Sequence, residues 1–264
     1  MNITRPQIKR EPHSKTPVAK LVIPTDMILV SGGKLSAEPT LSSKPVKKFL
    51  IGIQQVTLGE WRAVRAWALS NGYADMALGR ANGLKHPVSF VSMRDAAKWC
   101  NAKSERDGFI PCYSEGGKIL RTGESSPRHY KNNLEWDKEA SGYRLPTEIE
   151  WEWTACGGKS SKNFLFSGSN NLNEVGWFHG NAKGITKAVG RKKPNELGIY
   201  DMSGNLWEWC WDIIADPEMP LEMRRICGGC ASSNPKNCTV QSKSEMLTVR
   251  GDRFRGFRLA RNAS

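Results

Sequence analysis

Between Gly198 and Asp212 the chain reads Gly-Ile-Tyr-Asp-Met-Ser-Gly-Asn-Leu-Trp-Glu-Trp-Cys-Trp-Asp, with tryptophans at 207, 209 and 211 just after a glycine–asparagine turn. In an extended strand alternate side chains share a face. The three indoles would therefore point one way, and Leu206, Glu208, Cys210 and Asp212 the other. Glu208 lies between two indoles that call for burial, so its charge needs a partner. A metal cation is one candidate and an arginine is another.

At 264 residues the chain can build one large domain or at most two. No apolar run approaches a membrane span. Met1-Asn-Ile-Thr-Arg-Pro lacks the apolar stretch of a secretory signal, so a cell-surface location would require a leader that had been removed. The formal charge of +13 first suggests nucleic acid or an anionic surface. The excess is diffuse, however. Met1–Lys48 carries nine Lys and Arg against three acids, and the remainder is scattered. The expectation is a soluble basic surface with no specific nucleic-acid partner. Seven cysteines are spread from Cys100 to Cys238 and do not form a short secreted disulfide framework. Cys227-Gly-Gly-Cys230 lacks the second pair a zinc site needs, and its glycines suit a strand end better than the helix start of a redox dithiol.

Residues 1–20 read as a flexible basic arm and residues 21–264 as one domain. Val22-Ile-Pro, Met27–Val30 and Phe49–Ile53 are strand candidates. Three helices are marked by capping boxes: Thr57 with Glu60, Ser92 with Asp95, and Thr147 with Glu150. Asn71-Gly72, Gly108 and Gly157-Gly158 would end them. A hairpin and loop are expected around Gly116–Lys131. No helix is expected after Gly158, only short strands and long loops.

Several motifs taken in order resemble the formylglycine-generating enzyme/sulfatase-modifying-factor family. They include Gln55-Val-Thr57, His86-Pro-Val with Val91-Ser, Asp95-Ala-Ala-Lys-Trp-Cys-Asn101 and Tyr143-Arg-Leu-Pro-Thr-Glu-Ile-Glu-Trp-Glu-Trp153. Lys193-Pro-Asn-Glu-Leu-Gly198, the tryptophan block, Gly228-Gly229 and Gly256-Phe-Arg-Leu-Ala260 continue the series to Arg261. The resemblance implies an α+β, C-type-lectin-like fold of the formylglycine-generating enzyme type, with few helices and short antiparallel strands. It also implies a structural calcium at Asp201, Gly204, Leu206 and Glu208, the glycine and leucine acting through backbone oxygens. A second family calcium position falls near Asn173 and Glu174.

The enzymes of the family oxidise a sulfatase cysteine with copper held by two cysteines. Counting from the double glycine, the second position is Cys238 but the first is Ser233, whose hydroxyl cannot replace a thiolate for copper(I). Cys230 comes three residues too early. No copper is expected, no catalytic residue is assigned, and a non-enzymatic role is favoured over a divergent oxidase or sulfatase activator. The related branch that uses iron held by three histidines fits less well, because the histidines at 13, 86, 129 and 179 form no suitable pattern.

From 224 to 260 the frame is family-like and its filling is not. Cys230-Ala231 stands where relatives have Ser-Trp or Ser-Tyr, and apolar Met246, Leu247, Val249 and Phe254 stand where they have polar residues. This resembles the variable proteins of diversity-generating retroelements, which carry a diversified binding surface at the C-terminal end of the same fold. The resemblance implies a protein ligand of unknown identity, contacted by Cys227, Cys230, Ala231, Ser233, Lys243 and Glu245. Met246, Leu247, Val249, Asp252, Phe254 and Arg255 would complete the surface. Mixed apolar and polar side chains on a rigid scaffold make an adaptable contact face. Leu247, Val249 and Phe254 could instead pack in the core.

Overall fold

The computed structural model describes residues 23–34, 45–123, 133–214, 222–248 and 251–263. The basic arm, Val22 and Val249 lie outside them. In chain order the elements are β1 (Met27–Val30), β2 (Phe49–Gly52), α1 (Leu58–Leu69), α2 (Met93–Arg106), β3 (Tyr113–Glu115), β4 (Lys118–Ile119), β5 (Leu134–Trp136) and β6 (Tyr143–Arg144). Then follow α3 (Glu148–Ala155), α4 (Leu172–Val175), α5 (His179–Ala182), β7 (Trp207–Ile214), β8 (Met223–Cys227), β9 (Lys243–Leu247), β10 (Arg255–Gly256) and β11 (Ala260–Asn262). The α+β class with few helices and short, mostly antiparallel strands is the one the motifs imply.

All three capping boxes form, each with the N-cap hydroxyl accepting the N–H three residues on and the acid accepting the N-cap N–H. Helices α1 and α2 pack through a stacked indole pair, Trp61 on Trp99 at 5.8 Å, with Phe257 set edge-on to both. The expected hairpin is β3–β4, turning through Gly116-Gly117. After Gly158 the described residues add two single-turn α-helices, α4 and α5, and a 3₁₀ turn at Pro235–Asn237, all too short to show a periodicity in sequence. Ile23 and Pro24 lie outside any strand.

Two four-stranded sheets organise the core, in the orders β1-β2-β11-β6 and β10-β7-β8-β9; β4-β3-β5 forms a smaller third. In the first, Ala260 of β11 pairs with Ile51 of β2 and Arg144 of β6. In the second, β7 runs antiparallel to β8 and parallel to β10. Strand β7 is buried on both faces from Glu208 to Cys210. Trp209 lies wholly inside the larger apolar cluster, with Trp207 and Trp211 packed against it, while Cys210 belongs to a second cluster with Trp151, Met202 and Cys227. The alternation expected of the tryptophan block is thus present.

The turn before β7 is fixed sterically. Gly204 has φ +92°, and a Cβ there would fall 2.2 Å from the Trp177 carbonyl oxygen. Asn205 follows, also left-handed, with its N–H on the same oxygen at 2.8 Å.

The cap of α3 is tied to a buried ion pair. Glu150 accepts the Thr147 N–H at 2.8 Å and pairs with Arg144, which is almost wholly buried, at 2.7 Å. Replacing Thr147 by alanine removes the hydroxyl that holds the Glu150 N–H. The expected loss is about 1 kcal/mol, read as a lower urea midpoint with unchanged slope.

Candidate functional site

Glu208 is wholly buried, and its partner is an arginine. Arg258 donates to Oε2 through Nε at 2.7 Å and to Oε1 through Nη2 at 2.8 Å. The Trp151 indole N–H adds a bond to Oε2 at 2.6 Å, and Gln55 Nε2 one to Oε1 at 2.9 Å. Two further guanidinium hydrogens go to the carbonyls of Gly52 and Tyr200, at 3.0 and 2.9 Å. Both charges are buried, and every bond between them is short and well placed, the condition under which such a pair is tolerated. Gln55, Trp151 and Arg258 lie in family-like motifs, but nothing in their local sequence marks them as partners of Glu208.

The calcium set inferred from the resemblance meets a different arrangement. Gln55 Nε2 reaches the backbone oxygens of Leu206 and Asp201 at 3.0 and 3.4 Å in addition to Glu208. An amide nitrogen thus occupies the point where three oxygens converge, and Arg258 supplies the positive charge. Gly204 serves the turn geometry. Asp201 Oδ2 accepts the Gly190 N–H at 2.8 Å. Among the described residues Oδ1 has no hydrogen-bond partner, and neither has Gln55 Oε1. As arranged, these residues do not fit a calcium ion, because Glu208 has no oxygen free of donors. At the second position, Lys192 donates to the Asn173 carbonyl and Lys193 pairs with Glu174. Among the described residues no cluster of three or more His, Cys, Asp or Glu side chains assembles.

Burial raises the Asp201 carboxyl to about 6; the Gly190 N–H and Arg258 oppose the shift, and Glu208 adds to it.

The double glycine leads to a buried cluster of Cys230, Ser233 and Cys238. The Cys230 N–H donates to Ser233 Oγ at 3.0 Å, and its sulfur lies 3.4 Å from the same oxygen. Burial first, and the nearby Cys230 second, push the Cys238 thiol up to about 12, while the Cys230 N–H opposes the shift. The tight turn after Gly229 therefore folds Cys230 onto Ser233, although it comes three residues earlier. Spacing alone could not show this. Cys227 is also buried, its sulfur 3.8 Å from that of Cys210 across the β7–β8 ladder.

The twelve residues expected to form a contact surface divide accordingly. Cys227, Cys230, Ala231 and Ser233 are buried and cannot contribute to an exposed face. Strand β9 is a sheet edge, and its Lys243 and Glu245 are exposed. They join an ionic network in which Glu148 binds Lys243 at 2.6 Å and Arg225 at 2.8 Å, and Arg225 binds Glu245 at 3.1 Å. Met246 turns inward and packs on the larger core cluster, while Leu247 is half-buried. Asp252 pairs with Arg255, and the Phe254 carbonyl accepts the Trp207 N–H at 3.0 Å.

Residues 14–263 match the sulfatase-modifying factor enzyme 1-like domain. The chain is 37% identical over 234 residues to "Chaperone protein LppX" of Paenibacillus barcinonensis, covering 79% of each. It is 31% identical over 181 residues to the formylglycine-generating enzyme of Streptomyces coelicolor, spanning 57% of that protein's length. A 31% identical match takes in 90% of the chain but only 38% of the serine/threonine-protein kinase pkn1 of Chlamydia pneumoniae. Among solved structures, CarF superposes with a TM-score of 0.80 at 27% identity, covering 92% of this chain and all (100%) of that one. Treponema denticola variable protein 1 superposes with a TM-score of 0.72 at 29% identity, covering 90% and 94%.

Two measurements probe the buried charges. Removing one partner, by Glu208→Gln or Arg258→Met, strands the other and should cost about 3–5 kcal/mol; the double variant should lose less than the sum of the two. Asp201 gives the pH test. Its folded pKa of about 6 lies above the ordinary carboxylate value, so the native state binds the proton more tightly than the unfolded chain does. Its contribution is fully favourable below about pH 4 and is lost as pH rises through 6, a difference of about 3 kcal/mol. Asp201→Asn should therefore stabilise the protein at pH 7.5 and match it near pH 4. A calcium held by Asp201 would reverse the neutral-pH sign and make EDTA destabilising.

Proposed function

The chain belongs to the sulfatase-modifying factor family, and from that premise we propose that it is a ligand-binding module that recognises a protein through its C-terminal segment. The observation that carries this reading is the contrast between a buried frame and an exposed filling. Arg258, Phe257 and Cys227 are fixed in the core. The edge strand β9 and the 251–255 turn present charged and half-buried apolar side chains between them. A frame of this kind tolerates replacement at its edge without unfolding. The likeness to Treponema denticola variable protein 1 supports diversification of this segment by a retroelement, and a relative named as a chaperone supports a protein ligand. The contact set is Lys243, Glu245, Leu247, Asp252, Phe254 and Arg255, without the buried members and without Met246.

A second reading, a divergent oxidase or sulfatase activator, is favoured by one observation: Cys230 lies beside both Ser233 and Cys238. Thiolates are the donors copper(I) prefers. The binding reading expects the reduced protein to hold copper(I) no more tightly than Cys230→Ser/Cys238→Ser. Tight binding that depends on these thiols, with oxidation of a cysteine-containing peptide, would establish the oxidase instead.

The direct test is selection from a displayed library of protein fragments. Clones that bind should lose at least about tenfold in affinity for Glu245→Ala/Leu247→Ser, with the melting temperature nearly unchanged. Binding indifferent to that variant sinks the proposal. In genomic DNA, codon differences between isolates should concentrate at adenines within 224–260; uniform substitution along the gene would remove the retroelement.

A further inference from the structure

Next to the 251–255 turn lies a second feature that the motifs do not mark. A cleft of about 390 Å³ opens between Arg80, Asn82, Phe90, Ile185, Thr186 and Arg253. Phe90 and Ile185 expose apolar surface in it, at 42% and 52%. Its polar groups are cations and neutral hydrogen-bonding side chains, and among the described residues no aspartate or glutamate lines it.

Phe90 is held outward against its backbone preference. Its φ is +59°, a left-handed conformation that a bulky side chain adopts only when its surroundings impose it. The surroundings are visible. Ser89 and Val91 on either side are buried, and Arg80 and Ser89 exchange both backbone hydrogen bonds, at 2.9 and 2.8 Å. The Phe90 N–H is tied to the Asp252 carbonyl at 2.8 Å. Gly251 allows this approach, since a Cβ there would fall 2.6 Å from the Val91 backbone. Between two buried neighbours, the ring is turned to solvent.

Two guanidinium groups line the same cleft. Arg80 lies 5.1 Å above the Phe90 ring, and Arg253 lies 4.5 Å above the ring of Phe254. Neither has a carboxylate partner among the described residues, unlike most of the buried arginines. The nearest acid in sequence, Asp252, is taken by Arg255 and the Phe254 N–H. An arginine stacked on an aromatic face is restrained in orientation while its N–H groups stay free to donate. Asn82 and Thr186, 3.4 Å apart, add neutral polar groups.

We infer that this cleft is a docking site for an acidic peptide segment of a protein partner. Carboxylate side chains would pair with Arg80 and Arg253, and a neighbouring apolar side chain would rest on Phe90 and Ile185. Charge complementarity selects this occupant: the cations have no carboxylate partner among the described residues, and the protein as a whole is strongly basic. A nucleic-acid strand is the less suitable occupant. Phosphate tracking needs a longer run of cations, and single strands need successive stacking rings, whereas this cleft offers two arginines and one ring. The inference rests on the protein-binding reading above and gives its partner a chemistry.

The test uses the full chain and a displayed random dodecapeptide library. Selected sequences should pair Asp or Glu with a large apolar residue, and synthetic copies should bind less tightly as sodium chloride is raised. Arg80→Ala/Arg253→Ala should weaken them by about tenfold or more, and Phe90→Ala by less. These exposed side chains should leave the melting temperature unchanged. Selected peptides without acidic enrichment, no recovered binder, or affinity indifferent to the arginine variant would each overturn the site. Tighter binding of oligothymidylate than of the peptides, lost in the same variant, would assign the cleft to nucleic acid instead. Binders that depend on Glu245 and Leu247 but not on Arg80 and Arg253 would leave the broader reading intact while removing this one. Binders indifferent to both sets would remove both.

Discussion

The pairing of Glu208 with Arg258 is the constraint on which the rest of the structure depends. Two ions with almost no solvent would be ruinous in isolation. Here the carboxylate takes four donors, and the guanidinium also holds the carbonyls of Gly52 and Tyr200. One cluster of bonds therefore fastens β2, the 198–206 loop, α3, β7 and the segment before β11. A fold with so little regular structure needs such internal ties, because long loops cannot be held by ladders alone.

Much of this was legible in the residues. The three capping boxes gave the long helices because the cap is a local bond between residues three apart, which sequence displays directly. The indoles at alternate positions gave a strand with two different faces for the same reason. The partner of Glu208 was not legible. Gln55 and Arg258 lie 153 and 50 residues from it in sequence, and no local rule links them. The same limit applies to Cys230, whose sulfur reaches Ser233 only because the turn after Gly229 is tight. The one-turn helices α4 and α5 carry too few residues for a period to emerge. At Met246 the reverse holds: an apolar residue in an unusual segment read as surface, and burial on the larger core cluster shows that it packs.

The distribution of burial separates tolerance from constraint along a few residues. Cys227 to Cys230 form part of the interior, and the edge strand that follows them does not. On β9, alternation sends Met246 inward while Lys243 and Glu245 meet α3 through Glu148 and Arg225. Those ion pairs are partly solvated and individually weak, so replacing them changes the face without undoing the sheet. The cleft beside Phe90 adds a feature of another kind, with backbone strain maintained by the interior and expressed at the surface.

The position of β11 bears on how the protein comes to exist at all. That strand lies between β2 and β6, and Asn262 faces Phe49 across the ladder. The sheet joining the two ends of the fold cannot close until synthesis has passed Asn262 and those residues have cleared the ribosome. Until then β2 has an open edge, and Glu208 has no arginine. The nascent chain thus carries an open β2 edge until β11 emerges and an uncompensated acid from Glu208 until Arg258, a state prone to association. For such a topology, the time between the appearance of Glu208 and that of Arg258 is an interval of exposure to chaperones, proteases and other nascent chains.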